Sequence, residues 1–347
     1  MDLLGRLTWL PILLGALALS ACAAHPAVPA APAQAPANLT QAEAIRRADA
    51  AVVGVHVRAV AEGRSNESVG RSRSGSGVVI GPHDLVLTIG YLLLEADAVL
   101  VRSRDGRELP AQVLAYDPAS GFGLLRPLLP LKQVTPVPLG AAQQAQLGEL
   151  LMVGVGGEDG GIGLTRLAAR RAFTGYWEYH LDQALFTQPP IEPHSGAPLF
   201  NQHGELLGIG SLLVPNSTGT GEGQPGNMFV PVDLLKPILA ELLQSGSSRA
   251  SRRPWLGLLS VELDNRVHVL RTTPDSPARA AGLRAGDQVL GVDGVPVTTL
   301  EAFYKKLWDR PAPDSEVRLT VLRRGELATL TLRGVDRLRT LRRPRGA

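Results

Sequence analysis

The chain has 347 residues, 44% of them hydrophobic, which is enough for two or three domains with hydrophobic cores. With 38 Gly, 27 Pro and few aromatic residues, it is expected to be rich in turns and packed mainly with Leu, Val and Ala. The net charge of +3 arises in the basic tail 335–347, where five Arg and one Asp give +4, so no basic domain is left to support nucleic-acid binding. The tail is predicted to be a solvated end, with contact to anionic lipid as the alternative.

The N-terminus is typical of an exported protein. Arg6 precedes the apolar stretch 7–19, which is too short to span a bilayer and is interrupted by Pro11, so residues 1–21 are predicted to be a signal peptide. The stretch ends in Leu-Ser-Ala-Cys, which resembles a bacterial lipobox. That resemblance implies cleavage before Cys22 and a stable membrane anchor through several acyl chains on this residue.

Cys22 is the only cysteine of the chain, so it cannot form an internal disulfide, which favours the anchoring role. The alternative is an ordinary small-residue cleavage site with an incidental cysteine. Residue 23 is Ala rather than Asp, which in lipoproteins implies the outer rather than the inner membrane. The Ala/Pro-rich segment that follows, up to residue 38, is predicted to be an extended linker between the membrane and the folded part.

From about residue 39 the chain alternates short apolar runs with turn-forming residues. A short helix is predicted after Thr40, with Thr40 as its N-cap and Glu43 in the capping-box position. The runs that follow are typical of the strands of a β-barrel or β-sandwich. A helix is predicted over 232–246, and the segment 247–253 is predicted to be a linker.

Several motifs follow one another in a characteristic order: GSGVVI from Gly75, LTIGY from Leu87, DPASGFGLL from Asp117, SGAPL from Ser195 and FVPV from Phe229. This series resembles the HtrA (Deg) proteases. The resemblance implies a mainly β fold, in which a trypsin-like double β-barrel at 39–246 is followed by an α+β PDZ domain at 254–334. It places Ser195 at the position of the catalytic nucleophile.

Acyl transfer by a serine needs a base, a carboxylate that orients the base, and N–H donors for the oxyanion. In this family the base is the His of a Thr-Asn-Ala-His stretch, whereas residues 88–91 read Thr-Ile-Gly-Tyr, so Tyr91 stands at the base position. A phenol with a pKa near 10 keeps its proton at neutral pH. The carboxylate belongs to an Asp-Leu-Ala-Leu-Leu stretch, but residues 121–125 read Gly-Phe-Gly-Leu-Leu, so Gly121 stands at that position.

The oxyanion loop also departs from the family pattern, Asn-Pro-Gly-Asn-Ser-Gly-Gly-Pro. Residues 192–198 read Glu-Pro-His-Ser-Gly-Ala-Pro, so Pro193, which has no N–H, takes the place of a donor glycine. Losing one oxyanion donor costs roughly 10²–10³ in rate, and losing the base costs on the order of 10⁶. Ser195 is therefore predicted to be a remnant.

Rescue of Ser195 by another base is the alternative. His194 is adjacent, but neighbouring side chains diverge, and no lysine has the spacing of a Ser-Lys dyad. The other histidines are predicted to be surface or structural residues, including His180, which follows an aromatic loop at 176–179. No group of His, Cys, Asp and Glu has the spacing of metal ligands, and the Gly-rich stretch 154–163 lacks the Lys-Ser/Thr of a phosphate loop, so no metal or cofactor is predicted.

The C-terminal part resembles bacterial PDZ domains. Residues 255–258 (Trp-Leu-Gly-Leu) resemble their carboxylate-binding loop, and residues 276–297 resemble their central signature. In that family a peptide terminus adds as a strand, so the N–H groups of Leu256, Gly257 and Leu258 are predicted to bind its carboxylate. Phe303 and Leu307, one helical turn apart, are predicted to line the peptide pocket, with a plain core role as the alternative.

Three hypotheses for the function follow. The first is a catalytically inactive HtrA-like lipoprotein on the periplasmic face of the cell envelope, which binds the C-termini of proteins or peptides through its PDZ domain. The second is an active serine endopeptidase that uses Ser195 with a non-standard base. The third is a regulatory subunit of an active HtrA protease; because HtrA proteases form trimers, a homotrimer or a mixed assembly is the implied partner state.

Overall fold

The computed structural model describes residues 40–220 and 223–343. The predicted signal peptide, Cys22 and the linker that follows lie outside the described residues, as does the end of the basic tail from residue 344. Within the described ranges, no helix combines the length and the apolar character needed to cross a bilayer.

The first described element is the helix Gln41–Ala50 (α1), which begins as predicted. The Glu43 N–H donates to Thr40 Oγ1 at 3.4 Å, and the Thr40 N–H donates to Glu43 Oε2 at 2.8 Å. This reciprocal pair satisfies two of the N–H groups that a helix start leaves free. The predicted capping box is therefore confirmed.

Two six-stranded barrels follow α1, as the resemblance implied. The first is closed in the order β1-β2-β3-β6-β5-β4. With one short helix, its elements are Val52–Ala59 (β1), Asn66–Val69 (α2), Ser72–Gly81 (β2), Leu85–Ile89 (β3), Ala96–Arg102 (β4), Glu108–Tyr116 (β5) and Phe122–Pro127 (β6). All five residues of β3 are buried, which explains why four of them are apolar rather than alternating with polar residues; the fifth, Thr88, donates to the Ser76 carbonyl oxygen at 2.7 Å.

The second barrel is closed in the order β10-β11-β12-β9-β8-β7. Its strands are Leu150–Gly154 (β7), Ile162–Gly175 (β8), Tyr179–Gln188 (β9), Pro198–Phe200 (β10), Leu206–Val214 (β11) and Gly226–Pro231 (β12). The Gly-rich stretch 154–163 connects β7 to β8, in agreement with the predicted barrel loop. The long hairpin β8–β9 turns at residues 176–178, and this turn becomes important below.

The predicted helix over 232–246 is not continuous. A 3₁₀ turn spans Val232–Leu234, and an α-helix begins only at Leu239–Ser245 (α3). Pro237 lies between them, where it lacks the N–H that a helix interior needs and disfavours helical geometry in the residue before it. Gly246 ends α3 in the left-handed region, as the sequence indicated for its terminal glycine.

The PDZ domain has a five-stranded path in the order β14-β15-β16-β18-β19, with β17 paired to β16, and a separate pair β13-β20. Its elements are Pro254–Trp255 (β13), Leu258–Leu263 (β14), Arg266–Thr272 (β15), Pro277–Ala280 (α4), Gln288–Val292 (β16), Val295–Pro296 (β17), Leu300–Trp308 (α5), Glu316–Arg323 (β18), Glu326–Arg333 (β19), Val335–Asp336 (β20) and Arg337–Thr340 (α6). The strand β14 therefore lies at the edge of the sheet, with α5 packed beside it.

The segments on either side of the PDZ domain are held against the barrels, contrary to the predictions of a linker and a solvated end. In the segment 247–253, the Ser248 N–H donates to Asp117 Oδ1 at 2.9 Å, and the Ser251 hydroxyl donates to the same buried carboxylate. At the other end, β20 pairs with β13, and the Arg342 N–H donates to Glu95 Oε1 at 2.8 Å. Hydrogen bonds to buried carboxylates thus fix both segments.

Replacing Asp117 by Ala tests the first of these attachments. The substitution leaves N–H and O–H groups of Ser120, Ser248 and Ser251 without their buried acceptor, so we expect the free energy of unfolding at pH 7 to fall by about 2–3 kcal/mol in urea titrations. Asp159→Ala, at an exposed carboxylate, is the control and should change it by less than about 0.5 kcal/mol. Equal losses in the two variants would contradict the assignment.

The same variant has an expected pH dependence. Burial opposes ionisation of Asp117, but the hydrogen bonds from Ser120, Ser251 and Ser248 outweigh it and lower the pKa of this carboxyl. A depressed pKa adds stability above the ordinary value near 4, and this stability is lost as the pH falls through the folded-state pKa. The difference between wild type and Asp117→Ala should therefore shrink below about pH 4.

Candidate active site and peptide-binding loop

The structure brings Tyr91 and Ser195 into direct contact. Tyr91 lies in the 3₁₀ turn that follows β3, and Ser195 lies in the turn between β9 and β10. Tyr91 Oη is 2.7 Å from Ser195 Oγ and 3.0 Å from the backbone carbonyl oxygen of Ser211 on β11. The residue at the base position therefore occupies the space beside the nucleophile position.

The phenol has one proton and two partners. The carbonyl of Ser211 can only accept, whereas the Ser195 hydroxyl can donate or accept. If the Tyr91 hydroxyl donates a hydrogen bond to Ser211, then the Ser195 hydroxyl donates a hydrogen bond to Tyr91 Oη. If Tyr91 donates to Ser195 instead, the serine oxygen is the acceptor. In both arrangements the serine hydroxyl keeps its proton and is bonded to a neutral hydroxyl.

Burial raises the pKa of Tyr91 to about 12, although the hydrogen bond with Ser195 acts in the opposite direction. At pH 7 only about one phenol in 10⁵ is then ionised. A general base needs a pKa near the working pH to combine the correct protonation state with proton affinity. Tyr91 therefore does not supply a base for Ser195 at neutral pH.

The position that the resemblance assigns to the orienting carboxylate, Gly121, has no room for a side chain. Gly121 has φ +85°, and a Cβ atom added there would lie 2.9 Å from Tyr179 Oη. The Tyr179 hydroxyl is held in place because it donates to the Ser120 carbonyl oxygen at 2.7 Å. An aspartate at 121 would need both a left-handed backbone and the space that Tyr179 fills.

The turn around Ser195 lacks the N–H of Pro193, as predicted from the sequence. Two backbone hydrogen bonds tie this turn to the barrels: the Ser76 N–H donates to the Ser195 carbonyl oxygen at 2.8 Å, and the Gly196 N–H donates to the Gly210 carbonyl oxygen at 2.8 Å. The polypeptide thus keeps a fixed turn here with one donor fewer than the family pattern.

No other base reaches Ser195 Oγ within residues 40–220 and 223–343, where Tyr91 is the one side chain that hydrogen-bonds to it. His194 has a buried Nδ1 without a hydrogen-bond partner among these residues, and burial lowers its pKa. His56 is bonded to Ser74 Oγ at 3.1 Å, and His180 to Thr174 Oγ1 at 2.9 Å. The histidines considered from the sequence therefore do not form a dyad with the serine.

A cluster of acidic side chains and a histidine lies between the barrels and the PDZ domain, and sequence spacing did not predict it. His180, Asp182 and Glu301 place potential ligand atoms within 4.8 Å of one another. The Lys305 ammonium lies among them, 2.6 Å from Asp182 Oδ1 and 2.8 Å from Glu301 Oε1, and these hydrogen bonds raise its pKa to about 12. The lysine supplies the positive charge, so the cluster is an ion-pair bridge between β9 and α5.

The predicted carboxylate-binding loop binds a carboxylate, but one from the same chain. Glu178, in the turn of the β8–β9 hairpin, accepts from the Leu258 N–H at 2.7 Å and from the Leu256 N–H at 3.0 Å. Gly257 between them has φ +77°, and a Cβ there would lie 2.3 Å from Ser276 Cβ, so only glycine fits the turn. The sequence located the loop and its donors but gave no indication of Glu178.

The predicted pocket residues Phe303 and Leu307 are both 0% exposed and belong to the PDZ core together with Leu256 and Leu258. Their neighbour Tyr304 is also 0% exposed, and its hydroxyl accepts from the Glu178 N–H at 3.0 Å. In this structure Phe303 and Leu307 are core residues, which is the role that the sequence analysis gave as the alternative.

Comparison with known proteins agrees with this architecture. Residues 75–209 match the family described as "Trypsin-like peptidase domain", and residues 254–333 match "PDZ domain". The chain is 29% identical over 295 residues to a "Probable periplasmic serine endoprotease DegP-like" of Halomonas elongata, covering 78% of this chain and 58% of that protein. It is 26% identical to a "Putative serine protease HhoA" of Synechocystis, covering 88% of each.

Among solved structures, "HtrA-type protease AlgW with tripeptide" superposes with a TM-score of 0.53 at 23% identity, over 88% of this chain and 98% of that one. At this identity the likeness establishes the fold alone. The chain spans little more than half the length of several DegP-like relatives, 54–58% of those proteins.

Substitution of Gly121 measures how firmly the carboxylate position is closed. We expect Gly121→Ala to cost about 1–2 kcal/mol for a side chain at positive φ, plus about 1–3 kcal/mol for the clash with Tyr179. Gly148→Ala is the matched control, because Gly148 has φ +81° but open space around its Cβ. The free energy of unfolding of both variants is measured by urea titration. Equal losses in the two variants would contradict the closure at Gly121.

Proposed function

We propose that this chain, whose residues 75–209 match a trypsin-like peptidase domain and whose residues 254–333 match a PDZ domain, is a catalytically inactive member of the HtrA/DegP family that acts by binding. The observation that carries the proposal is the hydrogen bond between Tyr91 Oη and Ser195 Oγ, at 2.7 Å. It puts a neutral phenol where the reaction requires a base.

The losses at the three positions are not additive. Without a base the attack of Ser195 on a carbonyl is slowed on the order of 10⁶, and further losses add little to that factor. Tyr179 closes the position of the orienting carboxylate at Gly121, and Pro193 has no N–H for the oxyanion. Restoring a single residue is therefore not expected to restore the reaction.

The second candidate is an active serine endopeptidase with an unconventional base. It is favoured by the retained Ser195 on a trypsin-like fold and by the relatives, whose names describe serine proteases. The two candidates differ in the reactivity of one hydroxyl, which makes them separable by a single chemical probe.

The binding activity is assigned to the PDZ domain. Its loop presents the N–H groups of Leu256 and Leu258 to a carboxylate, and β14 offers an edge to an added strand. The solved relative that carries a tripeptide supports a peptide ligand for this chain too. We therefore propose the C-terminus of a protein or peptide as the ligand class.

The proposed location is the periplasm, on a lipid anchor at Cys22 in the outer membrane. The periplasmic names of the relatives support the compartment, and the lipobox-like Leu-Ser-Ala-Cys supports the anchor. Assembly as a homotrimer, or as a regulatory subunit of an active HtrA protease, is the corresponding proposal for partners. In each case the protein would act in envelope protein quality control by holding chain ends rather than cutting them.

A fluorophosphonate probe tests the state of Ser195. Because no base is available to the hydroxyl, we expect labelling of the purified mature protein to equal the background of Ser195→Ala, measured by intact-mass spectrometry at pH 7–8. Trypsin is the positive control for the reagent. The proposal fails if the wild type is labelled by the probe or cleaves casein while Ser195→Ala does neither.

Replacing Cys22 by Ser tests the anchor. We expect the wild type to sediment with outer-membrane vesicles and to incorporate labelled palmitate, because acylated chains partition into the bilayer. The variant should lose the label and move to the soluble fraction or remain as uncleaved precursor. Ala24→Ser, two residues away, serves as the control and should behave as the wild type. Unchanged palmitate incorporation in Cys22→Ser would refute the anchor.

A further inference from the structure

The turn of the β8–β9 hairpin enters the PDZ domain where a peptide is expected to bind. The Glu178 carboxylate accepts from the N–H groups of the carboxylate loop, at Leu256 and Leu258. The Tyr176 carbonyl oxygen accepts from the Ser260 N–H at 2.8 Å, on the edge strand β14. One short turn thus fills both the loop and the adjoining sheet edge.

These contacts have the spacing of a chain terminus. A peptide that joins a sheet edge pairs its backbone with the edge strand and places its final carboxylate among free N–H groups. Here the carbonyl comes from Tyr176, and the carboxylate comes from the residue two positions later. The side-chain carboxylate of Glu178 takes the place of the α-carboxylate that a free end would supply.

The backbone at Glu178 points to the same conclusion. Its φ is +58°, in the left-handed region that glycine and asparagine occupy with least strain. A glutamate brings no advantage to such a turn. Its side-chain contacts do, because the residue is only 4% exposed and its carboxylate is bonded to two N–H groups of the PDZ loop.

Burial makes this contact strongly dependent on its partners. Desolvation raises the pKa of the Glu178 carboxyl, while the N–H groups of the loop and the positive charge of Arg337 oppose that change. A buried carboxyl and buried N–H donors are each costly without the other. The loop therefore stays filled unless another carboxylate, or water, replaces Glu178.

We propose that Glu178 is an internal ligand of this PDZ domain, and that an external chain end with a free carboxylate binds by displacing the turn 176–178. The inference rests on the proposed peptide-binding function and adds its regulation. The apparent affinity for a peptide equals the affinity of the open groove multiplied by the fraction of molecules in which the turn has left the groove. Removing the carboxylate of Glu178 therefore increases the apparent affinity.

The test compares the full-length protein with Glu178→Gln and Glu178→Ala. The probe is a fluorescein-labelled hexapeptide pool, randomised at its last four positions and ending in free carboxylates, with the C-terminally amidated pool as its counterpart. We expect both variants to bind the free-carboxylate pool at least about tenfold more tightly than the wild type in fluorescence polarisation, if the turn is displaced in a tenth of molecules or fewer. No form should bind the amidated pool.

Asp182→Asn is the matched control. It removes the ion pair with Lys305 at the same interface without touching the carboxylate loop, so its affinity should stay within about twofold of the wild type. An equal gain in this variant, or tight binding by the wild type, overturns the role of Glu178 while leaving peptide binding intact. Failure of all forms to bind the free-carboxylate pool overturns both the internal ligand and the proposed binding function.

Discussion

The hydrogen bond between Tyr91 and Ser195 is the contact on which the chemistry of the barrels depends. A buried phenol needs hydrogen-bond partners, and Tyr91 finds them in the Ser195 hydroxyl and the Ser211 carbonyl. On the proposed function, this explains why a serine is kept at a position where it no longer reacts. The hydroxyl satisfies the phenol, so its removal would leave a buried polar group with one partner fewer.

The stretch 176–180 joins the closing of the active site to the closing of the PDZ groove. Tyr179 fills the space that a side chain at Gly121 would need, and its ring stacks on Trp177, with ring centroids 5.7 Å apart. Glu178, which lies between Trp177 and Tyr179 in the sequence, accepts hydrogen bonds from the PDZ loop, and His180 contacts Glu301 of α5. The same few residues therefore leave no room for a side chain at position 121 and hold the two domains together.

The sequence predicted the double barrel, the capping box and the PDZ domain, because these depend on local patterns and on motifs that the family shares. It also singled out Tyr91, Gly121 and Pro193 as substituted positions, because a departure from a motif can be read directly; their catalytic roles stay predictions. It missed Glu178 in the carboxylate loop, since the contact joins residues 78 and 80 positions apart, and an acidic residue in an aromatic turn is a weak signal. The packed tail and the fixed segment 247–253 were missed for a similar reason, because their partners Glu95 and Asp117 are distant in sequence.

The two carboxylates that fix the ends of the PDZ domain also restrict how it can move. Asp117 holds the chain where it enters the domain, and Glu95 holds it where it leaves, and both residues belong to the first barrel. A rigid body attached at two points retains a single rotation, about the line that joins them. The hairpin turn and the ion pairs of Asp182 with Lys305 and of Arg64 with Asp275 block that rotation, so the domain would turn about this line only after all of these contacts are released.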